Sequence, residues 1–509
     1  MSTKTTRRTF LASAAAAAVA AHAAPAAKLA RRKPNLLFIW TDEQRADTID
    51  VYGNRRIQTP NLSRLASESV VFRNAYVSQP VCTPSRSTVM TGLWPHQNGL
   101  TQNNVALPEN IRTLPEIVNN ADYRTGYFGK WHLGDEIFAQ HGFEEWRSIE
   151  DMYWKYYREG RDTSRVSDYS QWLKGLGLKP DGERGDFGRS FAAQLPIEQC
   201  KPKFLELEAC DFLRRHKDEP FMLHVNFLEP HMPFYGPLND LHKLEDVELP
   251  ANFNDPLEES EPLSYRLRSR KYVDGLYSDR FDLNTEAGWR RLIANYWGLV
   301  SQVDRSVGAI LATLEELGLA DDTIVVFTSD HGDMMGSHKL VEKGYTYQEA
   351  MRVPWMIRYP KEGRTQHIVD GHVSHIDLVP TLLELMGTEC PAELPGKSLL
   401  PLIKSGTPAS DPVFVEWNAP AAMPDGPNPA GAKRDPNKLQ GPSIRTVIAP
   451  DGWKLSLSDR DRNQLYNLSE DPGETTNVFD RTEHKPVIDR LSALIHEWQA
   501  NTGDTLMFS

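Results

Sequence analysis

Four short stretches constrain the fold of this chain more than anything else in it. Asn35-Leu36-Leu37-Phe38-Ile39-Trp40-Thr41, Phe221-Met222-Leu223-His224-Val225-Asn226-Phe227, Thr323-Ile324-Val325-Val326-Phe327-Thr328 and, more weakly, Tyr123 to Phe128 are nearly unbroken apolar runs of strand length. A strand with one wet face alternates polar and apolar residues. These do not, so they read as strands buried on both faces, as in a parallel sheet. Helical patterns lie between them at 62–69, 114–119, 204–216, 290–317 and 376–386. Strands alternating with helices predict an α/β, doubly wound, mainly parallel sheet flanked by helices. Ligands in that architecture sit beyond the carboxyl ends of the strands. Each run delivers chemistry there: Asp42 and Glu43, Lys130 and His132, Glu229 and His231, Asp330 and His331.

The texture changes after about residue 400. Val413 to Trp417, Ile444 to Ile448 and Trp453 to Leu457 alternate like short antiparallel strands, a helix is expected over 487–500, and 418–441 reads as a Pro- and Gly-rich loop. Residues 150–200 and 253–290 read as long excursions from the sheet. The expected organisation is a leader and linker over 1–33, a catalytic domain over 34–400 and a smaller C-terminal α+β subdomain, with an antiparallel sheet, over 401–509. Lys and Arg number 57 against 69 Asp and Glu, a net charge of −12. That balance disfavours a nucleic-acid partner, and an anionic ligand would need a local pocket or a metal to attract it. Thr6-Arg7-Arg8-Thr9-Phe10-Leu11, an alanine-rich stretch and Ala21-His22-Ala23 form the parts of a twin-arginine export signal. It implies a periplasmic or secreted bacterial protein. No stretch has the length for a stable membrane span.

Cys82-Thr83-Pro84-Ser85-Arg86 is the most telling segment. Pro84 suits the start of a helix, predicted over 87–91, whose first N–H groups would face the cysteine as an anion site. Arg86 adds a forked donor suited to sulfate or phosphate. The whole run Pro80-Val81-Cys82-Thr83-Pro84-Ser85-Arg86-Ser87-Thr88-Val89-Met90-Thr91-Gly92 resembles the first signature of the formylglycine-dependent sulfatase family, in the alkaline phosphatase superfamily. Asp122-Tyr123-Arg124-Thr125-Gly126-Tyr127-Phe128-Gly129-Lys130-Trp131-His132 resembles the second signature, with Asp122 for a glycine and Phe128 for a smaller residue. Further echoes are Glu229-Pro230-His231-Met232-Pro233, Ser329-Asp330-His331-Gly332-Asp333 and Leu465-Tyr466-Asn467-Leu468-Ser469-Glu470-Asp471-Pro472, so the likeness runs from about Pro34 to about Val478.

The resemblance implies hydrolysis of a sulfate monoester. Cys82 would be oxidised to formylglycine by a maturation enzyme. Asp42, Glu43, Asp330 and His331, with residue 82, are the candidate ligands of one divalent cation. Oxygen-rich ligation favours Ca²⁺ or Mg²⁺, and one imidazole leaves Mn²⁺ open. Glu43 stands where the family usually carries a second aspartate. His331 replaces an asparagine, as in one branch, and Lys343 lies at the offset from Asp330 expected of that branch. The resemblance further implies that Arg86 and Lys130 steady the hydrated aldehyde and the sulfate, that His231 or Lys343 protonates the leaving oxygen, and that His132 helps expel sulfate. The export signal favours a sulfated glycan as substrate, and Tyr153, Trp154, Tyr156, Tyr157, Arg158 and Arg161 offer stacking and anion contacts. A phosphonate or phosphodiester monoester hydrolase and a non-catalytic sulfated-glycan-binding protein are the two alternatives. His224, His338 and His375 read as structural. Cys200, Cys210 and Cys390 have no metal-like spacing, leave room for at most one disulfide and receive no function.

Overall fold

The apolar runs become adjacent strands at the centre of an eight-stranded sheet. The computed structural model describes residues 33–118, 120–255, 257–276, 280–405, 409–419 and 441–508. The sheet contains β1 (Asn35–Asp42), β2 (Val70–Tyr76), β3 (Arg124–Gly129), β4 (Glu145–Arg147), β5 (Phe221–Pro230), β6 (Thr323–Ser329), β7 (Arg352–Arg358) and β8 (His367–Ser374). Their order is β4-β3-β5-β1-β6-β7-β2-β8. Every neighbouring pair is parallel except the two made by β7, which runs antiparallel to β6 and to β2.

The missing alternation in β1 has a direct structural cause. Leu36, Phe38 and Trp40 enter one core with Leu378, Val379 and Leu382 of the helix Leu378–Met386. Leu37 and Ile39 enter the other with Leu62, Leu205 and Val307, from the helices Pro60–Ser67, Lys201–Arg215 and Glu286–Glu316. Each fully buried side chain of this size contributes about 1.5–3 kcal/mol, so both faces are held and the register of β1 cannot slip. The helix expected from 290 begins four residues earlier, at Glu286. Thr285 caps it by accepting from the Gly288 N–H at 3.1 Å. The helix expected from 204 begins at Lys201, with Pro202 in its first turn.

A second sheet holds β9 (Val413–Trp417), β10 (Ile444–Ile448), β11 (Trp453–Ser458) and β12 (Gln464–Asn467), all antiparallel, in the order β12-β11-β10-β9. The last helix, Lys485–Thr502, packs Leu491 and Ile495 against Val447 and Leu455. The Glu416 N–H on β9 donates to the Ser78 carbonyl at 2.8 Å, which ties this sheet to the segment leading into Cys82.

The chain divides into two compact units, Met1–Pro34 and Asn35–Ser509, and of the first only Lys33 and Pro34 are described. The twin-arginine motif and residues 420–440 of the expected loop lie outside the described residues. Among those described, no helix is long and apolar enough to cross a membrane. All four cysteines are free thiols.

Candidate active site

The carboxyl ends of β1, β3, β5 and β6 converge on Cys82. Cys82 is itself the first residue of the helix Cys82–Thr91, which corrects the expected start at residue 87. Pro84 lies inside the first turn, where its missing N–H is one that no helix would bond. The thiol therefore belongs to the helix N-terminus instead of facing one from outside.

Two turns aim the neighbouring groups. Glu43, just past β1, adopts a left-handed φ of 70°, held by its N–H donating to Asp330 Oδ1 at 3.0 Å and by the Tyr296 hydroxyl donating to its carbonyl at 2.6 Å. At the last residue of β3, a Cβ on Gly129 would lie 1.9 Å from the Asn226 carbonyl oxygen, so only glycine lets the chain lie this close to β5 there. His132 follows with φ 57°. The N–H groups of Trp131 and His132 each donate to Glu136 at 2.7 Å, fixing the turn that presents Lys130 and His132.

Asp42, Cys82, Asp330 and His331 each bring one ligand atom into a single buried group. His331 Nδ1 donates to the Gly332 carbonyl at 2.9 Å. That bond fixes the ring orientation and leaves Nε2 facing inward, at 3.3 Å from Cys82 Sγ, 3.7 Å from Asp42 Oδ1 and 3.6 Å from Asp330 Oδ1. Burial alone would lower the His331 pKa, yet Asp330, Cys82 and Asp42 raise it to about 10. A pocket that forces an imidazole toward its cationic form has carboxylate to spare for a cation. Two carboxylate oxygens and an imidazole nitrogen suit a hard or borderline divalent ion, so these residues fit the expected metal. The Glu43 carboxylate points elsewhere: Oε2 pairs with Lys343 Nζ at 2.7 Å, and buried Oε1 has no partner among the described residues. Its second candidate grouping is with Asp42 and His231.

Arg86 is fully buried. Its guanidinium donates to Asp330 Oδ2 at 2.8 Å, Asp42 Oδ2 at 2.9 Å, Asn226 Oδ1 at 3.1 Å and the Lys130 carbonyl at 2.7 Å, and it lies 4.7 Å from the Trp40 ring centroid. It clamps the outer oxygens of two candidate ligands, and its fork is spent on protein. Lys130 Nζ also donates to Asp42 Oδ2 and lies 3.8 Å from Cys82 Sγ. Burial would raise the Asp42 carboxyl, but Lys130, with Arg86 and His331, holds it well below the usual range. Burial and Asp42 push the Cys82 thiol up, while Lys130, Lys343 and His331 outweigh them and lower it.

On the opposite side, Lys343 Nζ sits 3.0 Å from His231 Nε2 as well as 2.7 Å from Glu43 Oε2. His231 Nδ1 donates to the Met232 carbonyl at 2.9 Å, so its Nε2 accepts. Burial and Lys343 hold His231 well below its ordinary value and keep it neutral. Burial works against the Lys343 charge, but Glu43 outweighs it and raises Lys343 well above the usual range. His132 is kept neutral by burial and then by Lys130 and Arg86. Its Nε2 donates to Asn104 Oδ1 at 2.9 Å, and its Nδ1 is buried without a partner among the described residues.

The structure thus brings all the expected site residues together, with Glu43 turned to Lys343 and Arg86 behind the ligands. Asn104, Glu136 and Asn226 were not legible as site residues, because each acts through a contact distant in sequence or carries no motif. Of the expected sugar-facing residues, Tyr153 stacks on His132 at 4.2 Å. Arg158 and Arg161 instead bond Asp135, through the Arg158 N–H and the Arg161 guanidinium. His224 and His375 are buried, and burial lowers each to about 3. His338 pairs with Asp255 at 2.6 Å.

With this geometry in view, comparison with known proteins is specific. A family model described as Sulfatase matches residues 34–388. The chain is 32% identical over 459 residues to the uncharacterised sulfatase YidJ of Escherichia coli K12, covering 88% of this chain and 84% of that one. It is 27% identical to an N-acetylglucosamine-6-O-sulfatase of Bacteroides thetaiotaomicron, covering 93% and 87%. Among solved structures, one in complex with its substrate D-glucosamine-2-N,6-O-disulfate superposes with a TM-score of 0.72 at 24% identity, covering 93% of this chain and 99% of that one. A phosphonate monoester hydrolase from Silicibacter pomeroyi superposes with a TM-score of 0.75 at 22% identity, covering 92% and 96%. Both likenesses are likenesses of fold.

Proposed function

The chain belongs to the sulfatase family and is a sulfuric ester hydrolase, and on that premise we propose that it removes sulfate from a sulfated carbohydrate at residue 82. The observation that carries this reading is the crowding of His331 Nε2 at 3.3 Å, Asp42 Oδ1 at 3.8 Å and Lys130 Nζ at 3.8 Å around one buried cysteine sulfur at a helix N-terminus. A free thiol gains nothing from a ligand group on one side and a lysine on the other. A nucleophile that must meet an anion does. We assign Cys82 as the formylglycine precursor, converted by a maturation enzyme. Asp42, Asp330 and His331 would hold one divalent cation, Ca²⁺ ahead of Mg²⁺ or Mn²⁺. When present, the aldehyde hydrate supplies a nucleophilic oxygen with a second hydroxyl, and the cation supplies Lewis-acid charge.

The chain's own residues would do the rest. Lys130 Nζ, beside Sγ, offsets the charge of the incoming sulfate. His132 Nδ1, neutral and unpartnered, is an acceptor for a proton from residue 82. Lys343 keeps a proton at Nζ with neutral His231 beside it, so of the two residues Lys343 is the donor to the departing oxygen. Glu43 holds Lys343 charged. Arg86 positions Asp42 and Asp330. Sulfated sugars are favoured because relatives bear the names N-acetylglucosamine-6-O-sulfatase and ulvan-active sulfatase. We further propose residues 34–400 as the catalytic domain, 401–509 as its subdomain, and export by the twin-arginine leader.

The test is release of inorganic sulfate by protein made in a host able to modify the cysteine. A panel of sulfated oligosaccharides would be run beside an aryl sulfate, an aryl phosphate and an aryl phosphonate ester, with Cys82→Ala as control. Sulfate from a sugar, absent in the control, is the expected result. Turnover of phosphonate with silence on every sulfate would overturn the reading.

A further inference from the structure

One of the long excursions from the sheet meets the segment that carries Lys343. The helix Leu263–Lys271 and the residue after it turn Tyr265, Arg268, Ser269 and Tyr272 toward residues 339–346. Their spacing of i, i+3, i+4, i+7 puts them on one helical face. Arg268 Nη2 donates to the Lys343 carbonyl at 3.0 Å, and the Tyr272 hydroxyl donates to the Val341 carbonyl at 2.8 Å. The Ser269 hydroxyl reaches the Lys339 carbonyl at 3.4 Å, and the Thr346 N–H donates to the Tyr265 hydroxyl at 2.9 Å. The helix face thus holds alternate carbonyls along one stretch of chain. The Arg268 guanidinium lies 4.4 Å from the Tyr345 ring centroid, which steadies its fork. The helix is anchored in turn by Asp461, between β11 and β12, which accepts from the Leu263 and Ser264 N–H groups at 2.9 and 3.2 Å.

Lys343 needs such support. Residues 340–347 belong to no helix or strand. Lys343 sits between Glu342 and Gly344, with φ of 66° and 87°, and its side chain crosses to Glu43 and His231. Gly344 also donates its N–H to the Pro80 carbonyl at 3.0 Å, two residues before Cys82. A Cβ on Gly344 would come within 3.1 Å of Arg268 Nη1 and 2.9 Å of the Trp417 ring, so the chain is gripped closely there. A lysine side chain is long and flexible. Only a fixed backbone lets Nζ meet two partners at 2.7 and 3.0 Å. A displacement of about 1 Å at a reacting group costs on the order of 10²-fold in rate.

We propose that Arg268 is a positioning residue for the proton donor: it fixes the Lys343 carbonyl and, through it, the reach of Nζ toward the departing oxygen. This rests on Lys343 as the acid of the sulfatase reading. Arg268 acts through Lys343, so its effect falls on esters whose leaving oxygen needs a proton.

The test measures kcat and KM on two esters: nitrophenyl sulfate, and the sugar sulfate of the panel above that wild type cleaves fastest. Arg268→Met, Arg268→Lys, Lys343→Met and the double variant with both methionines are compared with wild type. Arg268→Met is expected to lower kcat on the sugar sulfate about tenfold to hundredfold. On nitrophenyl sulfate it should cost less than about threefold, with KM nearly unchanged on both. Arg268→Lys keeps a donor for the carbonyl and should recover most of the loss. Added to Lys343→Met, Arg268→Met should cost less than about threefold more, since two residues acting as one unit do not add. Equal losses on the two esters, a full further loss in the double variant, or no loss at all would each overturn the proposal. Should Arg268→Met fail to fold, Tyr272→Phe removes the hydroxyl that holds Val341 and is expected to split the esters the same way; equal losses there overturn it. Equal losses in Lys343→Met, or wild-type turnover of nitrophenyl sulfate alone, remove the acid and the proposal with it but leave sulfate-ester hydrolysis standing. No sulfate from any ester overturns both.

Discussion

Lys343→Met tests the assignment of the proton donor while leaving the fold in place. Methionine keeps most of the stem and removes the charge. In the folded chain Nζ contacts Glu43 Oε2 at 2.7 Å and His231 Nε2 at 3.0 Å. At an effective dielectric of ~20, the gross attraction to Glu43 is on the order of 6 kcal/mol. The variant does not bear that loss. Burial already pushes the Glu43 carboxyl well up, so without Lys343 it takes a proton and stays neutral. The effect then falls on the chemistry. A general acid contributes about 10²–10⁴-fold where the leaving oxygen is strongly basic, as in a sugar alkoxide, and little where a nitrophenolate leaves unaided. The expected result is a loss of about 10³-fold in kcat on a sugar sulfate and of at most about tenfold on nitrophenyl sulfate. Both would be measured on one preparation, with thermal unfolding as the control for folding. Equal losses on the two esters would show that Lys343 only binds sulfate or steadies Glu43, and would refute the assignment.

Three further outcomes are expected. Asp330→Asn should weaken divalent-cation affinity at least about tenfold, read by calorimetry, together with the rate; unchanged affinity would remove Asp330 from the ligand set. Gly129→Ala would place a Cβ 1.9 Å from the Asn226 carbonyl at a φ of 126°. It should cost about 3 kcal/mol or more in denaturant unfolding, and wild-type stability would contradict the close approach. Burial holds His224 at about 3 in the fold, against ~6.5 when unfolded. The unfolded chain therefore takes the proton first as pH falls. This stability is complete above ~6.5 and is lost on acidification toward 3, about 2 kcal/mol by pH 5. His224→Phe, packed against Phe38 at 5.0 Å, should flatten the stability profile by one proton, and an unchanged slope between pH 4 and ~6.5 would sink the explanation.

The sequence shows its interior strands best. β1, β5 and β6 were legible because each is buried on both faces, which leaves an unbroken apolar run. β2 was hidden by Arg73 and Asn74, and β7 by Pro354, a residue that argues against an interior strand. The structure resolves both at once. The β2–β7 register shifts between Phe72 and Ala75, opposite Pro354, so a bulge falls where the proline has no N–H to give. β8 is an edge strand with Asp370, Gly371 and His372 in its middle, and its alternation is too weak to read. Within the site, Cys82, Lys130, His132, His231, Asp330, His331 and Lys343 stood out by motif or by position at a strand end. The direction of the Arg86 fork did not. A guanidinium near an anion site reads as a substrate clamp until the carboxylates on its far side are seen. Glu43 shows the same limit, since a carboxylate at a strand end points wherever its backbone turn sends it.

Arg86 also says something about how the molecule opens. Its hydrogen bonds reach Asp42 at the end of β1, the Lys130 carbonyl just past β3, Asn226 on β5 and Asp330 just past β6. In the sheet those strands are consecutive neighbours, β3-β5-β1-β6. Any excursion that parts two of them must break a charged bond in a dry interior, where the stranded partners find no water. The floor of the site is therefore expected to be the last region to exchange its amide hydrogens, with openings below the global limit falling on the loops around it. Change of substrate then becomes a matter of editing the mobile rim, with the reaction centre carried along unaltered.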